Sequence, residues 1–124
     1  MDKISIKGQR QLSGEVKISG AKNACLTLMP LSILSPETLE LTNVPNLSDI
    51  TTMQTLLRSL GTSIKYNPEK SSLKLTTKNI TNCTADYEIV RKMRASILVL
   101  GPLLARMGKA LSLIHIWRCR RVGV

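Results

Sequence analysis

The hydrophobic period of this chain changes twice between Thr38 and Leu75, and those changes limit the folds open to it. Thr38-Leu39-Glu40-Leu41-Thr42 alternates apolar and polar residues, as a half-buried strand does. Ile50, Met53, Leu56, Leu57 and Leu60 then recur at helical spacing. Ser48 or Asp49 is placed to cap that helix, and Gly61 stands where a glycine C-cap belongs. Alternation returns at Ile64 and Tyr66, and a turn through Asn67-Pro68-Glu69-Lys70 leads to Leu73-Lys74-Leu75, completing a hairpin. Strand, helix, then hairpin is an α+β pattern.

The flanks extend it. Ile4 and Ile6 predict one short strand, and Leu12, Val16 and Ile18 another, with Gly8 and Gly14 as punctuation. Ser19-Gly20 leads into an apolar segment, Ala21 to Leu34, that reads as a helix kinked or restarted at Pro30, which lacks a backbone donor. A third helix is expected from about Asp86. Asp86 and Glu88 suit its positive N-terminal end, and Glu88 to Lys92 is a supporting i,i+4 pair. Its apolar positions run Val90, Met93, Ile97, Leu100 and Leu104, with a bend near Gly101-Pro102 and an end at Gly108. Ala110 to Leu113 can start another strand.

At 124 residues the chain is long enough for one domain with a core and too short for two. That core must be aliphatic, because Phe is absent and the aromatics are Tyr66, Tyr87 and Trp117 alone. The longest apolar stretch, Ile97 to Ala105, falls far short of the roughly 20 residues a bilayer requires. Residues 1–7 alternate charge and apolarity and do not read as a signal peptide, so a cytoplasmic location is expected and no membrane partner. Cys25, Cys83 and Cys119 are odd in number and widely spaced, and His115 is the single histidine, so neither a metal site nor a disulfide framework is expected. The formal net charge is +10. Setting aside Arg118, Arg120 and Arg121 near the C-terminus leaves 15 basic against 8 acidic residues, scattered without a dense run. Such scatter suits nucleic acid or phosphorylated small molecules equally.

Two places can carry chemistry. At Ser19-Gly20-Ala21-Lys22-Asn23, a helix starting just after Gly20 would present free N–H groups to an anion. Lys22 in that first turn opposes the helix dipole, a liability that a bound phosphate would reverse, and Asn23 could hydrogen-bond a hydroxyl or carboxylate. A solvated surface lysine is the competing account. In Arg91-Lys92-Met93-Arg94, helical periodicity puts Arg94 between Val90 and Leu98 on the edge of the apolar stripe, where it either snorkels to water or is held by an anion. Cys25 reads as core packing, Cys83 as incidental, and no cysteine or histidine forms a nucleophilic constellation.

From Ile114 the chain changes character. Residues 114–124 hold the only His, the only Trp and three arginines, and no acid. They read as a strand with a basic terminus, as an arm for nucleic acid or a membrane surface, or as non-native sequence.

The stretches Leu12 to Asn23 (L-S-G-E-V-K-I-S-G-A-K-N), Leu41 to Leu47 (L-T-N-V-P-N-L), Leu60-Gly61 and Met93 to Arg106 (M-R-A-S-I-L-V-L-G-P-L-L-A-R) together resemble the UDP-N-acetylglucosamine enolpyruvyl transferases (1-carboxyvinyltransferases). The resemblance covers Met1 to about Leu113 and implies an inside-out α/β barrel of repeated β-α-β-α-β-β units, here truncated, whose opening strands pack in the other domain. It implies transfer of the enolpyruvyl group of phosphoenolpyruvate to the 3-hydroxyl of UDP-N-acetylglucosamine, in peptidoglycan synthesis, without a cofactor. By it, Lys22 contacts phosphoenolpyruvate, Asn23 lies beside it near the sugar hydroxyl, and Arg94 binds the UDP-sugar. The family's general acid is a cysteine in a Pro-Gly-Gly-Cys loop expected directly after Leu113, where this sequence runs Ile114-His115-Ile116. Cys119 lacks the flanking glycines, so no catalytic residue is carried over. Residues 1–113 are thus expected to be the N-terminal portion of such an enzyme, 114–124 an aberrant, non-native tail, and the chain as written an inactive fragment that folds poorly alone. The competing accounts are the related shikimate-pathway synthase, a small basic nucleic-acid-binding module, and an inactive gene remnant.

Overall fold

The computed structural model describes residues 2–112. Strands β1 (Thr38–Leu41), β2 (Ser63–Asn67) and β3 (Ser72–Thr76) form an antiparallel sheet in the order β1-β3-β2. Register places Leu39 and Ile64 on either side of Leu75, and Leu41 and Tyr66 on either side of Leu73. One face is therefore apolar, and Leu73 and Leu75 are fully buried in its centre. The opposite face carries Glu40, Lys65 and Lys74, the first and last joined by an exposed ion pair at 3.3 Å.

Helix α2 (Ser48–Leu60) covers the apolar face with Ile50, Met53, Leu56, Leu57 and Leu60, all buried. Each contributes about 1.5–3 kcal/mol through removal from water. Its N-cap is Leu47, which offers no side-chain acceptor, so neither Ser48 nor Asp49 caps it as expected. Gly61 ends it in the left-handed conformation at φ 111°, and a Cβ there would stand 2.6 Å from the Asn79 carbonyl oxygen. Only glycine satisfies both demands.

Helix α1 (Lys22–Leu28) passes directly into a 3-10 helix, Met29–Ile33, with Pro30 in its first turn, so the expected restart occurs there as a tighter helix. The expected third helix is divided differently. Asp86 caps α3 (Tyr87–Val90) by accepting the Glu88 N–H at 2.8 Å. The backbone then turns and becomes extended at Met93 (φ −146°, ψ 117°), and a 3-10 helix, Arg94–Val99, leads into α4 (Leu100–Met107). The break falls at residues 91–93 and not at Pro102, which sits in the first turn of α4, where its missing donor costs nothing. Glu88 pairs with Arg91 at 2.9 Å, not with Lys92. The short strands β4 (Thr84–Ala85) and β5 (Leu111–Ser112) pair in parallel.

The two opening strands do not form. Ile4, Ile6, Leu12, Val16 and Ile18 are each more than 80% exposed, and residues 2–18 hold no regular element. From α1 the order α-β-α-β-β matches five of the six elements of the expected repeat, the leading strand being the absent one. The stretch 114–124 lies outside the described residues.

Arg106, in the last turn of α4, ties the layers together. Its guanidinium donates to the Ile33, Thr77 and Lys78 carbonyls at 2.7–2.8 Å, joining α4, the first 3-10 helix and the exit of β3.

Candidate functional site

Lys22 opens α1, whose N-cap is Ala21 and whose first turn holds no acid. Cys25 is the first residue to donate into the helical ladder, to Ala21 O at 3.1 Å, which leaves the N–H groups of residues 22–24 outside it. The cation that disfavours this helix end is answered from elsewhere in the fold. Lys22 Nζ donates to Asp49 Oδ2 at 2.8 Å, and Asp49 lies in the first turn of α2, where a carboxylate is favoured. Both side chains are about two-fifths exposed, so the pair contributes at most about 1 kcal/mol. Sequence reasoning placed Asp49 as a cap and missed this pairing, because the two residues lie 27 positions apart and no periodicity links them.

The backbone at this corner is set by contact. A Cβ on Gly20 would collide with the Asn43 carbonyl oxygen, so the chain entering α1 rests directly on the loop that leaves β1. No side chain fits between them. Asn43 itself holds φ 55°, the left-handed region that asparagine tolerates better than most residues. A pocket of about 130 Å³ beside this contact is lined by Gly20, Ala21, Ala24, Cys25 and Leu28 from one side and by residues 41–44 from the other. An open cleft of about 680 Å³, lined by Lys17, Ser19, Asn43, Glu69, Lys70 and Ser71 among others, lies on the other side of Asn43. Neither is lined by Lys22, Asn23 or Arg94.

Asn23 follows Lys22 with its side chain exposed, and its carbonyl accepts from Thr27 Oγ1 at 2.8 Å. Arg94 begins the second 3-10 helix, which packs against α1, so the fold brings together the two elements that carry the three residues. No hydrogen bond or ion pair joins Arg94 to Lys22 or Asn23 among the described residues. Arg94 is exposed and does not lie on a helical stripe edge: the extended backbone at Met93 interrupts the period that would relate it to Val90. Cys25 is buried in the core cluster, as packing requires, and burial pushes its thiol above the ordinary value of 9.0. That is the opposite of what an activated nucleophile shows. No cluster of three or more potential metal ligands occurs among the described residues. No helix among them is long and apolar enough to cross a membrane.

A family model described as EPSP synthase (3-phosphoshikimate 1-carboxyvinyltransferase) matches residues 6–116. The chain belongs to the EPSP synthase family. Within that family it is similar to a UDP-N-acetylglucosamine 1-carboxyvinyltransferase of Dinoroseobacter shibae, with 59% identity over 110 residues covering 89% of this chain and 26% of that protein. A protein of the same name from Campylobacter hominis is 56% identical over 108 residues, covering 87% of this chain and 26% of its own length. The chain thus spans about a quarter of the length of the curated relatives it matches. Among solved structures, the enolpyruvyl transferase NikO from Streptomyces tendae superposes with a TM-score of 0.72 at 20% identity, over 83% of this chain and 24% of that one. That likeness establishes the enolpyruvyl transferase fold for this chain. The related shikimate-pathway enzyme remains the namesake of the family model, but the relatives at 54–59% identity carry the UDP-sugar name.

Proposed function

We propose that residues 1–113 form the N-terminal portion of a UDP-N-acetylglucosamine enolpyruvyl transferase, and that 114–124 are a tail foreign to it. The observation that carries this reading is 59% identity across 89% of the chain to a relative of that name. The arrangement at the head of α1 supports it. Lys22 presents an ammonium with two donors beyond its bond to Asp49, Asn23 stands next to it, and the 3-10 helix of Arg94 packs alongside.

In the proposed reaction a general acid delivers a proton to the methylene carbon of phosphoenolpyruvate, while the 3-hydroxyl of the sugar loses its proton to a base and adds to the neighbouring carbon. Loss of a proton from the new methyl group then expels inorganic phosphate and restores the double bond, leaving the enolpyruvyl ether. Lys22 serves the phosphate throughout, where a fixed cation offsets charge developing on the leaving group. Asn23 orients the sugar hydroxyl, and Arg94 binds the UDP-sugar, its guanidinium suited to paired phosphate oxygens. The acid and base come from sequence beyond these residues, so the chain as written is inactive. The role is in cytoplasmic peptidoglycan synthesis, and through it in cell shape and division. The partners are two small molecules, with no nucleic acid and no cofactor.

The test is a chimera. Residues 2–112 replace the matching stretch of the Dinoroseobacter shibae protein, and phosphate release is followed with each substrate alone and with both. Release that requires both substrates, and that falls by about 10²-fold or more in Lys22→Ala, is expected. Release with 3-phosphoshikimate but not with the UDP-sugar would transfer the assignment to the other branch of the family.

A further inference from the structure

We propose that Asp49 is a positioning residue for Lys22, holding its ammonium in place for a phosphate-bearing ligand. The inference rests on the reading of Lys22 as the group that meets the phosphate of phosphoenolpyruvate.

Lys22 is fixed from both ends. Its backbone follows Gly20, whose contact with the Asn43 carbonyl leaves no room for a Cβ, so the entry to α1 cannot slide against the loop leading to α2. Its side chain is caught at the other end by Asp49, 2.8 Å away on the first turn of that same helix α2. A free lysine samples four rotatable bonds, and immobilising such a chain on binding carries an entropic cost. Asp49 meets that cost before the ligand arrives. The ammonium carries three donors, and the bond to Asp49 occupies one.

Asp49 can also repel a bound anion or compete with it for Lys22. The exposure of the pair decides between these effects. With both side chains about two-fifths exposed, solvent and salt screen both the attraction and the repulsion. An anion on the remaining donors lies farther from Asp49 than Nζ does, so the repulsion is the more screened of the two and ordering prevails.

The experiment uses the whole 124-residue chain labelled with 15N-lysine, with Lys22→Gln to identify the ammonium resonance. Relaxation of that resonance and a titration with phosphoenolpyruvate are compared in wild type, Asp49→Asn and Asp49→Glu. In wild type, the Lys22 ammonium is expected to be more ordered than those of the exposed lysines other than Lys74, which pairs with Glu40, and to shift with phosphoenolpyruvate. In Asp49→Asn its order falls to theirs and affinity drops by about two- to tenfold. Asp49→Glu restores part of both. A purely structural role for Asp49 would not produce that recovery alongside an unchanged backbone spectrum. Equal affinity and order in Asp49→Asn overturn the inference and leave the donor-site reading standing. Tighter binding in that variant also overturns it, making Asp49 a competitor. A wild-type Lys22 resonance indifferent to phosphoenolpyruvate overturns the donor-site reading, and the inference with it. Should Asp49→Asn lose the dispersed amide signals of α2, Asp49→Glu, which keeps the first-turn acid, decides alone: a resonance as ordered as in wild type supports the inference, and full disorder overturns it.

Discussion

Two stretches of this chain carry the same alternation of apolar and polar residues and reach opposite ends. In residues 38–76 it produces a three-stranded sheet whose central leucines, Leu73 and Leu75, are wholly buried. In residues 2–18 it produces no strand, and Ile4, Ile6, Leu12, Val16 and Ile18 face solvent. Local preference does not explain the contrast, since the opening stretch is the richer in β-branched isoleucine and valine. The difference is cover. Strand β3 has a hydrogen-bonded neighbour on each side and the Met29–Ile33 helix against its apolar face, with α2 packed on β2 beside it. The opening stretch has none of these among the described residues. Alternation specifies that a segment has an apolar face; it does not specify what the face meets.

The largest effect should come from removing cover where it exists. Leu57 is fully buried on the inner face of α2, and Leu57→Ala is expected to lower unfolding free energy by about 2–5 kcal/mol in urea titrations. Ile4→Ala, which removes an equally apolar side chain from the exposed stretch, should change it by no more than about 0.5 kcal/mol. Comparable losses in both variants would mean that the opening stretch is packed in solution, and the contrast would collapse.

Next in size is the tie between the layers. Arg106 satisfies three carbonyls, on Ile33, Thr77 and Lys78, at the rim where the helices meet the sheet. Arg106→Ala leaves them without their charged donor, and a loss of about 2–3 kcal/mol is expected in the same titration. Arg106→Lys should recover only part of it, because one ammonium cannot reproduce the planar fork that reaches three acceptors. Full recovery by lysine would reduce Arg106 to a surface charge.

The same distinction between local and tertiary information separates what was legible in the sequence from what was not. Helix α2, its glycine stop and the β2–β3 hairpin were readable because period, turn chemistry and C-cap agree within a few residues. The break at Met93 was not, since Val90, Met93, Ile97 and Leu100 keep a helical rhythm through an extended residue. The side chains satisfy that rhythm with a turn, a 3-10 helix and α4 in succession. At the candidate site, Lys22 and Asn23 were legible as polar groups at a helix start and Arg94 as a cation beside an apolar stripe, while their roles came from motif resemblance. Their setting came from pairs distant in sequence: Lys22 with Asp49, and Gly20 with Asn43. Glycine at position 20 was a readable helix-entry signal, but the carbonyl it rests on was not.

A smaller effect tests burial beside that corner. Burial raises the Cys25 thiol above 9.0, so the folded chain holds this proton more tightly than the unfolded chain does. Its contribution to stability is complete below the unfolded value and is lost as pH rises through the folded one. Urea midpoints of wild type should therefore fall between pH 8 and pH 10 by more than those of Cys25→Ala. Parallel falls in the two proteins would mean that the thiol is solvated in the folded chain.

The smallest effect expected is from the largest change. Deleting residues 2–18 removes five exposed aliphatic side chains and no regular element, so the unfolding free energy of the remainder should stay within about 0.5 kcal/mol. Aggregation at high concentration should decrease, because exposed alternating segments with unpaired backbone groups are ready templates for pairing between chains. A loss of stability beyond about 1 kcal/mol would show that the opening stretch finds cover on this same chain, and the two alternating regions would then differ in degree only. An unchanged free energy with reduced aggregation would instead assign the missing cover to a surface outside residues 2–112. The identical alternation in the two regions would then record two faces built for different neighbours, one supplied by α2 and the other by a surface beyond them.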